Sequence, residues 1–135
     1  MQTVQNPARI RRVTRALILP VGERAGRMAE KLLTRSREWL DGEAPLVLAQ
    51  ADEGLSGYLD QLASDALVQS LSQRGFGLAR PNEAEVWMLV DLTGEADSDL
   101  TTEQAGQLLE DATELAWQRL RIHLAGHALL LCGPA

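Results

Sequence analysis

Short apolar runs with no polar residue to turn toward water do most to narrow what this chain can fold into. Ala16–Leu19, Leu46–Ala49 and Val86–Val90 are such runs, and His127–Cys132 is the last of the kind. A strand on a one-sided sheet alternates apolar with polar. A run without alternation needs cover on both faces, which is the situation of a parallel strand with helices above and below it.

Helical spacing fills the intervals. The first helix is expected from near Glu23 to just before Asp41-Gly42, with Met28, Ala29, Leu32, Leu33, Ser36, Trp39 and Leu40 as its buried stripe. A second is expected over Leu55–Gln73, lined by Leu55, Tyr58, Leu59, Leu62, Ala66 and Leu67 and ended by Gly75. Asp52–Gly54 read as the turn before it. Thr101 with Gln104 reads as a capping box opening a third, which carries Ala105, Leu108, Leu109, Ala112, Leu115 and Ala116 inward. Arg119, Arg121 and His123 then fall in its last turns and Gly126 ends it.

The strands expected around these helices are Val13–Val21, Leu46–Ala49, a short Phe76–Ala79, Val86–Leu92 and His127–Cys132. Such alternation implies right-handed crossovers. The expected fold is therefore α/β: three layers, a mainly parallel sheet of four to five strands, and three helices, Rossmann-like, with Val13–Val21 and Val86–Leu92 central. Residues 1–10 read as a flexible arm and residues 11–135 as a single α/β domain.

The chain has 135 residues, enough for a core without metal or disulfide staples. Its single cysteine, Cys132, excludes an intrachain disulfide and a CxxC motif. No apolar stretch is long enough to cross a membrane, and the polar start, Met1–Pro7, lacks the apolar segment of a signal peptide, so a cytoplasmic location is expected. The net charge of −6 divides unevenly: residues 1–40 hold nine Arg/Lys against three Asp/Glu, and residues 41–135 hold four against sixteen.

Ligands of open α/β sheets bind beyond the carboxyl ends of the strands. The loop Pro20–Arg27 is one such place. Gly22 and Gly26 there could bring backbone N–H groups to an anion, with Arg24 adding charge at the helix start, but neither GxGxxG nor GxxxxGK[ST] is present. The plainer reading is an ordinary strand–helix turn. The loop Asp91–Asp99 is the other, and its carboxylates suit a solvated turn before a helix better than a cation site. His123 and His127 find no third ligand in the sequence, and neither Cys132 nor any serine sits in a nucleophile motif, so no catalytic residue, metal or cofactor is assigned.

Leu17–Arg27 resembles the first glycine loop of the tubulin superfamily, especially its prokaryotic tubulin-like members, where a strand enters a loop of the form GxGGxG and then a long helix. Gly22 matches one family glycine, whereas Pro20, Glu23 and Ala25 stand where the family has glycine. Val86–Leu92 followed by Thr93-Gly94-Glu95 falls where the family has a strand and its GGGTGSG loop, and Thr93-Gly94 echo it. The resemblance implies a nucleotide-binding ancestry with eroded glycine loops, and Gly22, Arg24, Gly26, Thr93 and Gly94 as the cofactor-binding positions if a nucleotide or other anion is bound.

Arg24, Arg27, Lys31 and Arg35 recur along one edge of the first helix, preceded by Arg9, Arg11, Arg12 and Arg15. The acidic remainder of the domain would repel nucleic acid, so a protein partner or a second copy is the expected use of this basic face. The leading expectation is a non-enzymatic protein-interaction or scaffold domain. The alternative is a nucleotide- or anion-binding domain, a GTP-type switch or hydrolase, working through loops 20–27 and 91–99.

Overall fold

A computed structural model describes residues 11–40, 44–49, 54–93 and 98–131. The first ten residues, Asp52, Gly94 and Cys132 therefore lie outside the described residues, together with the arm, much of the turn and the thiol read from them. The elements run β1 (Arg11–Val13), β2 (Ala16–Val21), α1 (Glu23–Leu40), β3 (Leu46–Leu48), α2 (Ser56–Leu62), α3 (Asp65–Gln73), β4 (Phe76–Leu78), β5 (Glu83–Asp91), α4 (Ser98–Leu120) and β6 (His123–Leu131).

Four strands form one wholly parallel sheet in the order β3-β2-β5-β6. β2 and β5 are its centre, as their unbroken apolar runs require. Helices lie on both faces. Leu17, Leu19, Val86 and Met88 point to one side and pack with Leu59 and Leu62 of α2 and with Ala112 and Ala116 of α4. Ile18 and Leu89 point to the other and pack under Ala25 and Ala29 of α1. The α/β class, the parallel sheet and the two-sided cover agree with the sequence reading.

Several elements depart from it. The strand expected over Val13–Val21 is broken at Thr14-Arg15: β1 leaves the main sheet to pair in parallel with β4, and β2 begins at Ala16. Arg15 at the break is buried, so it is not part of a basic surface. Its guanidinium donates to the carbonyls of Leu62 at 3.2 Å and Pro81 at 2.5 Å. The first of these is the negative end of α2, which stands in for a carboxylate partner. Burial nevertheless holds the Arg15 pKa below its usual value.

The helix expected over Leu55–Gln73 is interrupted at Ser64, whose backbone is extended and whose hydroxyl accepts the Leu67 N–H at 3.2 Å. That is an N-cap, and it divides the segment into α2 and α3. Ala66, expected inward, is exposed as a result.

The stripe of α1 is narrower than its apolar spacing implied. Ala25 and Ala29 are buried against the sheet, while Met28 is 36% exposed, Leu32 42% and Trp39 80%. The helix expected from Thr101, now α4, begins at Ser98, which puts Thr101 inside its first turn rather than at the cap. It ends at Leu120 because Arg121 takes the left-handed conformation, φ 55°, and returns its N–H to the Trp117 carbonyl at 3.1 Å. His123 therefore opens a strand instead of closing a helix, and Gly126 lies within that strand.

Candidate functional site

The parallel sheet brings the carboxyl ends of β2 and β5 side by side, at the point where the chain reverses its direction of strand addition. Gly22 leaves β2 with φ +105°, a conformation that only glycine adopts without strain. It also leaves room for its neighbour: a Cβ on Gly22 would stand 2.6 Å from the Cβ of Asp91.

Asp91 at the end of β5 uses that room. Its Oδ2 accepts the Arg24 backbone N–H at 3.3 Å, and its Oδ1 accepts the Thr93 N–H at 2.9 Å and the Thr93 hydroxyl. The carboxylate thus caps α1 from across the sheet and meets the positive end of its dipole. These contacts, the Thr93 hydroxyl foremost, hold the Asp91 pKa below the ordinary carboxylate value.

Three of the residues expected at an anion site, Gly22, Arg24 and Thr93, therefore converge, and they converge on a carboxylate of the chain itself. Gly26 stands one turn along α1 with open space where a Cβ would be. Gly94 is outside the described residues. Beside this knot a cleft of about 500 Å³ is lined by Gly22, Glu23, Gly26, Arg27, Glu30 and Gln104 among others. Among the described residues its one cation is Arg27, bonded to Glu23 at 2.9 Å. Among the described residues no group of three or more His, Cys, Asp and Glu is gathered as a metal site would need.

Arg24, Arg27, Lys31 and Arg35 are all exposed on the outer side of α1. The same helix turns Met28, Leu32 and Trp39 to the flank away from β3, since Gly26, Glu30, Leu33 and Arg37 line the clefts on the β3 side. That flank is turned toward β6, whose face on this side lacks a covering helix among the described residues. Trp87 of β5 and His127 of β6 stack there, ring centroids 4.3 Å apart, and His127 Nε2 lies 3.4 Å from Glu85. Leu129 beyond them is 44% exposed.

Among the described residues β6 is also the outer strand of the sheet. Its nine residues carry no Asp, Glu, Lys, Arg or Pro, and Leu130 is 53% exposed. The opposite edge, β3, has three residues, and α1 and α2 pack on it. Sequence reading missed the open edge because an apolar run signals burial and carries no record of its place in the sheet. The signal that was present is the change along the run, from wholly apolar in Leu17–Leu19 to His- and Ala-interrupted in His123–Leu131.

No known family model matches the chain, and no characterised protein or solved structure proves similar to it. No helix among the described residues is long and apolar enough to cross a membrane.

Proposed function

We propose that this chain is a non-enzymatic protein-interaction domain whose contact surface is the β6 side of the sheet. The observation that carries this reading is the exposure of six large apolar side chains on β6 and on the two helices beside it, Leu129 on the α1 face of the strand and Leu130 on its α4 face. Leu129, Leu130 and Trp117 lie along or beside β6, and Met28, Leu32 and Trp39 face it from α1. Scattered exposed leucines are ordinary on a soluble protein, but several large apolar side chains gathered on an edge strand and its flanking helices favour a surface that is covered in use. Arg24, Lys31 and Arg35 on the outer side of α1 give an incoming acidic surface an electrostatic guide.

The other reading, a nucleotide- or anion-binding domain derived from a tubulin-like or other Rossmann-like ancestor, needs free N–H groups at the start of α1. Asp91 stands at that position, and a phosphate would meet its charge. This supports the interaction reading over the switch.

The paired substitution Trp39→Glu with Leu129→Glu tests the proposal. Both side chains are exposed, so the melting temperature should stay within a few degrees of the original. The complex that contains the chain in its native cells, sized by gel filtration of a tagged copy, should shrink toward monomer mass. An unchanged elution position for the double variant would count against the interaction reading.

A further inference from the structure

We propose that the partner seated on β6 is a second copy of this chain, joined by antiparallel pairing of the two β6 strands about a dyad at His127; this rests on the interaction reading above and names its partner.

The backbone fixes the kind of occupant. In β6 the His123 N–H points to β5, where Asn82 accepts it at 3.0 Å, and the Leu131 carbonyl also points to β5, accepting from Leu92 at 2.8 Å. Alternation along the strand then turns the N–H and C=O of Leu124, Gly126, Ala128 and Leu130 outward. Water can meet such a row, but among protein partners another strand is the element whose groups match it in spacing and direction. Proteins ordinarily blunt an edge of this length with a charge, a proline or a bulge. β6 has no Lys, Arg, Asp, Glu or Pro, and it pairs with β5 without a break from Glu83↔His123 to Asp91↔Leu131.

The residues fix the second copy. With the dyad at His127, Gly126 faces Ala128 of the other copy and Leu124 faces its Leu130, so all four outward residues on each strand are bonded. No other dyad uses all four. The closely spaced, non-bonded pairs are His127 with His127 and Ala125 with Leu129, small against large. No pair sets like charges together.

The layer above agrees. α4 packs on both β5 and β6. Strands about 4.8 Å apart then set the two α4 axes about 10 Å from each other, a normal helix-packing distance. The flank of α4 turned to the edge is marked by Leu109, which lies against Gly126, and by Trp117, which stacks on His123 at 4.4 Å. By helical spacing Gly106, Glu110 and Thr113 share it, and all three are exposed, with the two small residues leaving room for a second helix.

The test uses the full chain with Cys132→Ser, so that no native thiol remains. In that background His127→Cys places two thiols across the dyad at a non-bonded antiparallel pair, whose Cα separation of about 4.5 Å falls in the disulfide range. Mild oxidation should convert it to a covalent dimer. Ala125→Cys alone should give at least about tenfold less, and Ala125→Cys mixed with Leu129→Cys should again crosslink. Sedimentation of the original chain should show dimer, and Ala128→Pro should raise its dissociation constant at least about tenfold. The Ala128 N–H points outward, so proline there removes no bond of the monomer's own ladder, and an unchanged circular dichroism spectrum checks that.

A chain that is monomeric at all concentrations, or that crosslinks as well at 125 as at 127, overturns the self-pairing. The interaction reading itself is judged separately, by the size of the cellular complex with the exposed apolar face mutated. A monomeric chain whose complex still shrinks on that mutation has another protein on β6.

Discussion

At the residue scale the contact between Gly22 and Asp91 governs the end of the sheet. Gly22→Ala would place a Cβ 2.6 Å from that of Asp91 and force a side chain into φ +105°. We expect a loss of about 2–4 kcal/mol, read as a lower midpoint in urea. Gly26→Ala makes the opposite prediction. Gly26 is inside α1 with open space around it, so alanine should stabilise by up to about 1 kcal/mol. Asp91 adds a pH dependence. Its folded pKa lies below its unfolded value, so its contribution is present above an unfolded pKa of about 3.9 and disappears as pH falls through the folded one. Thermal melts of the original chain and Asp91→Asn should differ at neutral pH and converge in acid. A constant gap across that window would mean that the carboxylate's charge plays no part. The same geometry predicts that GTP or ATP with Mg²⁺ binds no tighter than roughly millimolar by calorimetry.

At the scale of elements, what the sequence makes legible is what depends on local chemistry. The central strands and the start and end of α1 follow from unbroken apolar runs and from Gly22 and Asp41-Gly42. The break between α2 and α3 was written in Ser64-Asp65, a good N-cap and first-turn pair, but the leucines on either side keep helical phase across it and mask it. Ser64→Ala should cost about 1 kcal/mol and weaken hydrogen-exchange protection in α3 more than in α2. The end of α4 was not legible. Arg121, not a glycine, takes the left-handed turn, and it is held there by the Trp117 carbonyl and by its guanidinium over the Trp117 ring at 5.0 Å. Taking Gly126 as the stop puts His123 on a helix and hides the first four of β6's nine residues. Of the candidate site, the residues around Gly22 could be read from sequence. Asp91 capping α1 could not, because its partner lies across the sheet and no local spacing reports it.

At the scale of the molecule the charge division becomes a matter of geometry. The basic residues line the outside of α1 on one face of the sheet, and α4 presents Glu103, Glu110 and Glu114, all exposed, on the other. Charge reversal of Arg24, Arg27, Lys31 and Arg35 to Glu should slow association with an acidic partner while leaving the fold intact. The effect should fade as salt shortens the Debye length below about 10 Å, with on-rates measured by stopped flow as the check. The aromatic residues report on the other surface. Of the three tryptophans, Trp87 stacks on His127 and Trp117 on His123, both imidazoles belonging to β6, while Trp39 stands in water on α1. Indole emission shifts toward the blue as water leaves the ring, and a stacked imidazole alters its yield. The two indoles stacked on β6 therefore form a built-in optical gauge of whether that strand is open or covered. Trp39→Phe leaves those two as the only indoles, and dilution of such a variant can be followed in a cuvette with no label attached.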